Sequence, residues 1–373
     1  MSMAETSHKF VPIDARPAPS NQVGLVAWLR ENLFSSATNT ILTLVSIALI
    51  AWAIPPIFSW AVLDAVISGT TNEACAGAEG ACWTFVKVRF HQFMYGFYPH
   101  EQRWRVDLAA VMAAIIIVWL VIESTPHKKW VGLFALVPFP VICFFLFSGG
   151  YFGLEHVGTD KWGGFFLTVV VSMTGIIISL PLGVVLALGR RSEMPVIRLL
   201  STIFIEVIRG VPLISLLFMA SNLLPLFAPE GVQFDKLLRA LVIVALFASA
   251  YMAEVVRGGL QAIPKGQYEA ASALGLGYWK STIFITMPQA LKLVIPGIVN
   301  TFIGLFKDTT LVMIIGLQDL LGAVQTSLTD SKWLGFNHEG YFFVGVLFWI
   351  FCFGMSRYSI YLENKLDTGH KKR

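Results

Sequence analysis

Charged residues interrupt long apolar runs of this chain at several places, and each interruption carries chemistry. One reads Glu206-Val-Ile-Arg209-Gly210-Val-Pro212-Leu213. Charge at membrane depth is expensive and marks function by default. Glu206 and Arg209 are three apart, so on a helix they share a face and can pair. Pro212 has no N–H and frees the carbonyl of Ile208, while Gly210 admits backbone or ligand. Another interruption reads Asn300, then Lys307-Asp308-Thr309-Thr310. Adjacent polar side chains followed by more apolar residues predict a broken helix lining a cavity, because lipid leaves such a segment unsatisfied. Arg209 and Lys307 can serve a carboxylate, and Glu206 or Asp308 an ammonium, which are the two ends of a zwitterionic amino acid. The other reading is internal neutralisation that merely ties helices together, and both stay open. Glu254 and Arg257, at the end of an apolar run, read as a structural pair.

The elements that must position these residues are membrane spans. Of 373 residues, 56% are apolar and 13% charged, with mean hydropathy +0.70. Soluble chains carry roughly twice that charge, so the apolar excess faces lipid. Disorder, nucleic-acid binding and a secreted disulfide scaffold are excluded. A bilayer core needs about 20 apolar residues per helix. Eight runs qualify: 39–62, 107–124, 130–148, 164–189, 197–223, 240–257, 289–313 and 341–362. The expected fold is therefore an all-α integral membrane protein of about eight transmembrane helices. Residues 1–38, with Pro12, Pro17 and Pro19 and no apolar core, read as a polar tail rather than a signal peptide.

Lys and Arg number 16 on the side holding both termini and 8 on the other. That asymmetry puts the N- and C-termini in the cytoplasm. The opposite side carries a long polar loop, 63–106, in which Cys75 and Cys82 sit close together. An oxidising compartment permits a disulfide between them, the alternative being two free thiols. Cys143 and Cys352 lie in apolar runs as small hydrophobes. No His, Cys or carboxylate spacing suits a metal, and no catalytic constellation is present. The absence of any Gly-Lys dipeptide removes a phosphate-binding loop. This chain is thus expected to bind no cofactor and to hydrolyse no ATP.

The largest inside loop, 258–288, reads Gln261-Ala-Ile-Pro264-Lys265-Gly266-Gln267-Tyr268-Glu269-Ala270-Ala271-Ser272-Ala273-Leu274-Gly275-Leu-Gly277. Residues 267–274 predict a short surface helix stopped by Gly275 and Gly277. Tyr268, Ala271 and Leu274 would form one weak apolar stripe. Glu269-Ala270-Ala271, then Gly275, then Ile285 and Met287-Pro288, resembles the EAA signature of ABC importer permeases. The usual Leu before the Pro is Met here, a volume-conserving change. Segment 206–213, Tyr251-Met-Ala-Glu254-Val-Val-Arg257-Gly258-Gly259-Leu260 and Lys307-Asp308-Thr309-Thr310-Leu311 look like the polar amino-acid branch of that family. The three-span half ahead of it, 39–150, is similar to the M-type permeases of general L-amino-acid importers.

That resemblance implies a type I (MetI-like) importer core over 163–362, spans four to eight, with a basic tail at 363–373. It implies a paralogous permease forming a heterodimer, two copies of an ABC ATPase carrying ATP and magnesium, and a periplasmic amino-acid-binding protein. Tyr268, Glu269, Ala270, Ala271, Leu274 and Gly275 would couple to the ATPase. Glu206, Arg209, Lys307, Asp308 and Thr309 would line the substrate path through a bacterial inner membrane. The rival reading, an ion-coupled secondary transporter, would favour inverted repeats, and no second copy of these segments is visible.

Overall fold

The computed structural model describes residues 24–227, 229 and 234–366. The rest of the N-terminal tail and the last seven basic-tail residues lie outside the described residues. The named elements of the described residues are helical, and isolated bridges join Gly96 to Trp162 and Gly164 to Asp319. Among the described residues six segments are long and apolar enough to cross a bilayer: Ala37–Leu63, His100–Val121, Gly164–Arg190, Lys236–Ala262, Ile295–Ile315 and Asn337–Leu366. Two bent pairs complete a count of eight, Lys128–Leu136 with Pro138–Ser148 at 41° and Pro195–Gly210 with Leu213–Phe227 at 100°.

Two compact units divide the chain, one of residues up to 66 with 77–81, the other of 67–76 with everything from 82 onward. The division falls inside the long loop, not between spans three and four. In the first unit, α1 (Leu25–Asn32) precedes α2 (Ala37–Phe58), which starts where the Ser36 hydroxyl accepts from the Asn39 N–H at 3.2 Å. Pro55 and Pro56 cannot donate to the helical ladder, and α2 runs out into a π-helical turn at Ser59–Leu63. Ala81 donates to the Trp60 carbonyl and accepts from Val66, both at 2.8 Å.

The second unit takes in most of the loop expected to be polar. Loop 63–106 is not a polar excursion, since it holds α3 (Trp83–Tyr95) with Thr84, Phe85 and Phe93 buried. Phe85 packs on Phe93, Trp333 and Phe336 with ring centroids 5.6, 5.4 and 6.2 Å away. Then follow α4 (Trp104–Val121), α5 (Lys128–Leu136), α6 (Pro138–Ser148), α7 (Gly164–Arg190), α8 (Pro195–Gly210), α9 (Leu213–Phe218) and α10 (Lys236–Ala262). After these come α11 (Lys265–Ala273), α12 (Tyr278–Ser281), α13 (Met287–Leu293), α14 (Ile295–Asp308), α15 (Leu320–Leu328) and α16 (Asn337–Leu366).

The pair α7 and α10 forms the axis of this unit. On α7 every fourth residue from Val171 through Gly175, Ser179 and Gly183 to Ala187 is buried. On α10 the same spacing buries Ala240, Val244, Ala248, Met252, Val256 and Leu260. Such rows pack ridge into groove, and small residues allow the backbones to close in. A Cβ on Gly183 would lie 2.7 Å from Cβ and Cγ of Met252, and one on Gly175 3.2 Å from Val244. The two helices therefore run in the same direction, as alternate spans of a chain that crosses back and forth must. Around one end gathers a core including Tyr98, Val106, Phe147, Trp162, Phe166 and Val312. Around the other gathers Ala187, Ile205, Met252, Val256, Ile263, Ala290 and Ile298.

Backbones of three elements converge at the start of α7. Gly96, at φ +64°, and Gly163 touch, and a side chain on Gly164, at φ +64°, would strike the carbonyl of Phe93. The Gly164 N–H donates to the Gln318 carbonyl at 2.8 Å, and the Leu320 N–H to the Thr168 hydroxyl at 3.0 Å. Only glycine fits this crossing.

Candidate functional site

The break at 210–212 lies where the sequence puts it: α8 ends at Gly210, Val211 is extended, and α9 restarts after Pro212. The charges beside it are partnered differently. Glu206 accepts from Arg190 at 2.7 Å, not from Arg209. Arg209 instead faces Glu254, 3.8 Å away, and stands over the Tyr251 ring at 5.2 Å. Packing of α7 against α10 supplies these closer partners, which a single-helix argument does not see.

Glu254 is the centre of the arrangement. Its Oε1 accepts from Arg190 at 2.9 Å and from Arg257 Nε at 3.1 Å, and its Oε2 accepts from Arg257 at 2.7 and 3.0 Å. Its side chain is 16% exposed, against 55% for Glu206 and 35% for Arg209. The pairing of Glu254 with Arg257 thus exists inside a five-membered network that joins the ends of α7, α8 and α10. Three guanidiniums face two carboxylates, so the network holds one surplus positive charge. Arg209 is its least satisfied member, lacking a carboxylate within hydrogen-bond distance.

The Lys307–Thr310 segment changes pitch rather than breaking. α14 ends at Asp308 and continues as a 3-10 helix over Thr309–Ile315. The Thr309 hydroxyl donates to the Phe306 carbonyl at 2.8 Å and that of Thr310 to the Lys307 carbonyl at 2.9 Å, tightening the turn. Thr309 is buried, Asp308 half-buried and Lys307 exposed. Among the described residues the side chains of Lys307 and Asp308 have no hydrogen-bond or ion-pair partner, and they do not pair with each other. The structure thus joins Glu206 and Arg209 in one network and leaves Lys307 and Asp308 outside it.

The surface helix α11 is capped at Leu274 and stopped by Gly275, where φ is +72°. Gly275 donates to the Ser272 carbonyl at 2.9 Å and Leu276 to that of Ala271 at 3.1 Å, closing a Schellman turn. Ala271 is buried and Tyr268 half-buried, the Tyr268 hydroxyl donating to the Leu260 carbonyl at 3.2 Å and accepting from Arg191 at 3.4 Å. Leu274 leaves the expected stripe, because it sits in the cap at ψ 4° and is 76% exposed. Gly266, Glu269, Ala270 and Leu274 form an outward face with Tyr278 and Trp279 exposed next to it.

Elsewhere, Cys75 and Cys82 are joined by a disulfide with Cα atoms 5.8 Å apart, and the Cys82 N–H donates to buried Glu339 at 2.9 Å. Asp319 is fully buried, capping α15 through Oδ1 to the Gly322 N–H at 2.9 Å while Oδ2 has no partner. Burial pushes its carboxyl up to about 6, against the backbone N–H groups of Gly322 and Leu321 that favour the charge. Among the described residues no group of three or more His, Cys, Asp or Glu gathers as a metal site.

Arg190 and the central place of Glu254 escaped the sequence reading. Arg190 counts there as a loop charge, and 64 residues separate it from Glu254. The matching four-residue rows on α7 and α10 are the signal that could have aligned them.

The family model for the inner membrane component of binding-protein-dependent transport systems matches residues 179–368. Over 95% of its length the chain is 54% identical to the inner membrane amino-acid ABC transporter permease protein YhdY of Escherichia coli (strain K12), covering 96% of that protein. It is 39% identical, over 95% of this chain and 97% of the relative, to the glutamate/glutamine/aspartate/asparagine transport system permease protein BztC of Rhodobacter capsulatus. A solved structure of an amino acid ABC transporter with histidines is 28% identical, covering 54% of this chain and 92% of that one at a TM-score of 0.49.

Proposed function

The chain belongs to the inner membrane components of binding-protein-dependent ABC importers, and from that premise we propose that it translocates L-amino acids by alternating access. Membership makes it a multi-pass transport subunit rather than an enzyme, sets aside the ion-coupled secondary transporter, and implies ATPase and substrate-binding protein partners. The amino-acid class rests on the full-length similarity to two amino-acid permeases, which is the observation that carries the proposal.

In the proposed assembly this chain pairs with a paralogous permease and two ATPase copies, which bind ATP and magnesium. An amino-acid-binding protein docks on the opposite side. Both termini are cytoplasmic, by the Lys and Arg asymmetry. Then α11 faces the ATPase, with Glu269, Ala270, Leu274 and Gly275 outward and Tyr268 and Ala271 anchoring it from within. A cytoplasmic helix with an exposed face of small and apolar residues suits a partner's cleft.

Arg209 takes the substrate carboxylate in this reading. It stands at the break between α8 and α9, its guanidinium is the least compensated of the network, and Tyr251 holds it from one side. Asp308, beside Thr309 at the pitch change, offers an acceptor for the ammonium, and Lys307 and Glu206 complete the charged lining. Co-purification from native membrane, with uptake and ATPase activity measured in proteoliposomes, tests the proposal. Arg209→Gln and Asp308→Asn are expected to depress uptake while membrane abundance holds. An internal pair with a purely structural role would instead deplete the protein, since losing one partner of a buried pair costs about 3–5 kcal/mol. Wild-type uptake in both variants would move substrate binding to the partner permease. An ATPase indifferent to substrate-loaded binding protein would overturn the importer assignment.

A further inference from the structure

We infer that Glu254 sets the charge preference of the substrate path, as a positioning residue that fixes the potential felt at Arg209. The inference rests on the reading of Arg209 as the contact for the substrate carboxylate. Three guanidiniums, those of Arg190, Arg209 and Arg257, share two carboxylates, and the two are not equivalent. Glu206 is 55% exposed and accepts from Arg190 alone, whereas Glu254 is 16% exposed and is held on both oxygens by Arg190 and Arg257. That grip has two consequences. Glu254 cannot swing to close on Arg209, which stays 3.8 Å away, beyond hydrogen-bond reach and free for an incoming carboxylate. Its own negative charge nonetheless sits at a fixed place beside Arg209, offsetting part of the positive field.

The network therefore presents a potential balanced near one positive charge. That suits a single carboxylate, the group that every amino acid shares. Removing the Glu254 charge leaves three positive charges against one negative charge. A substrate carrying a second carboxylate then gains relative to a neutral one. For a charge about 10 Å away at an effective dielectric of about 20, the gain is on the order of tenfold. Removing the Arg257 charge shifts the balance the other way, while Arg190 still holds Glu254.

The test uses the intact importer, purified with its ATPase and binding protein and reconstituted in proteoliposomes. L-glutamate and L-glutamine are the probes, being nearly isosteric and differing by one negative charge. Each variant is compared with wild type by its ratio of initial uptake rates, so selection by the shared binding protein cancels. Glu254→Gln is expected to raise the glutamate-to-glutamine ratio by on the order of tenfold, Arg257→Gln to lower it, and Glu254→Asp to hold it within about twofold. A merely structural role would depress both rates together and leave the ratios alone. Unchanged ratios in Glu254→Gln and Arg257→Gln overturn the inference, and if the first fails to assemble, the second decides it. Should Arg209→Gln transport normally, the underlying reading falls; should it lose uptake while the ratios stay fixed, only the role of Glu254 falls.

Discussion

Asp319→Asn isolates one buried carboxyl and turns it into a stability measurement. Asp319 caps α15 through Oδ1, which Asn reproduces, and its Oδ2 lies buried without a partner. The substitution therefore removes a chargeable group and keeps the cap. Burial lifts the carboxyl from 3.8 to about 6, and at 1.36 kcal/mol per pH unit this amounts to about 3 kcal/mol. A carboxyl whose folded value is raised binds its proton more tightly in the fold than in the unfolded chain. Its ionisation thus costs stability, with no cost below about pH 4 and the full cost above about pH 6. Wild type should lose stability relative to Asp319→Asn as pH rises through this window, and the gap should then stay flat. With roughly 2–4 °C per kcal/mol for chains of 150–250 residues and less for longer ones, the variant should melt several degrees higher at neutral pH. Tryptophan fluorescence melts of both proteins in nanodiscs, across that pH range, measure the difference while cancelling every other titrating group. A gap independent of pH would refute the reasoning, as would a variant that melts lower at neutral pH.

Three further substitutions probe α11 and the packing of α7 on α10. Gly275→Asp places a charged side chain at φ +72° in open space; the strain is about 1–2 kcal/mol, so insertion should survive while uptake and ATPase co-purification fall. Normal uptake would remove α11 from coupling. Gly183→Leu drives a side chain into Met252, where overpacking costs about 1–3 kcal/mol or more, and should lower membrane abundance. Gly210→Ala has nothing within 4 Å and should leave abundance near wild type; equal abundance in these two variants would contradict the packing of α7 on α10.

The spans and the break at Pro212 were legible because each is a local property of composition or of a missing N–H. The helix at 265–273 and its glycine stop were legible for the same reason. What the sequence hid is whatever depends on registry between distant segments. Glu206 and Arg209 share a face, yet the nearer partners arrive from α7 and α10. Leu274 keeps the three-residue spacing and still turns outward, because the Schellman turn at Gly275 redirects its backbone. Phe85 and Phe93 sit in a segment whose overall polarity reads as loop, and the aromatic side chains that receive them, Trp333, Phe336 and Phe343, lie far along the chain. Thr309 and Thr310 announce an irregularity, but whether hydroxyls break a helix or tighten it depends on the carbonyls they reach.

The docking of α3 has a consequence for biosynthesis. Phe85 finds Trp333 and Phe336, and Cys82 finds Glu339, partners encoded some 250 residues downstream (257 for Cys82 and Glu339). Chains emerge from the ribosome N-terminus first, at roughly 5–20 residues per second. For roughly 12–50 seconds the α3 segment therefore exists while its seat does not. During that interval its aromatic face lacks the side chains that cover it in the finished fold. A chain truncated before α15 could never cover it. An early segment thus becomes one of the last to find its place, and its burial reports that translation has run almost to the end.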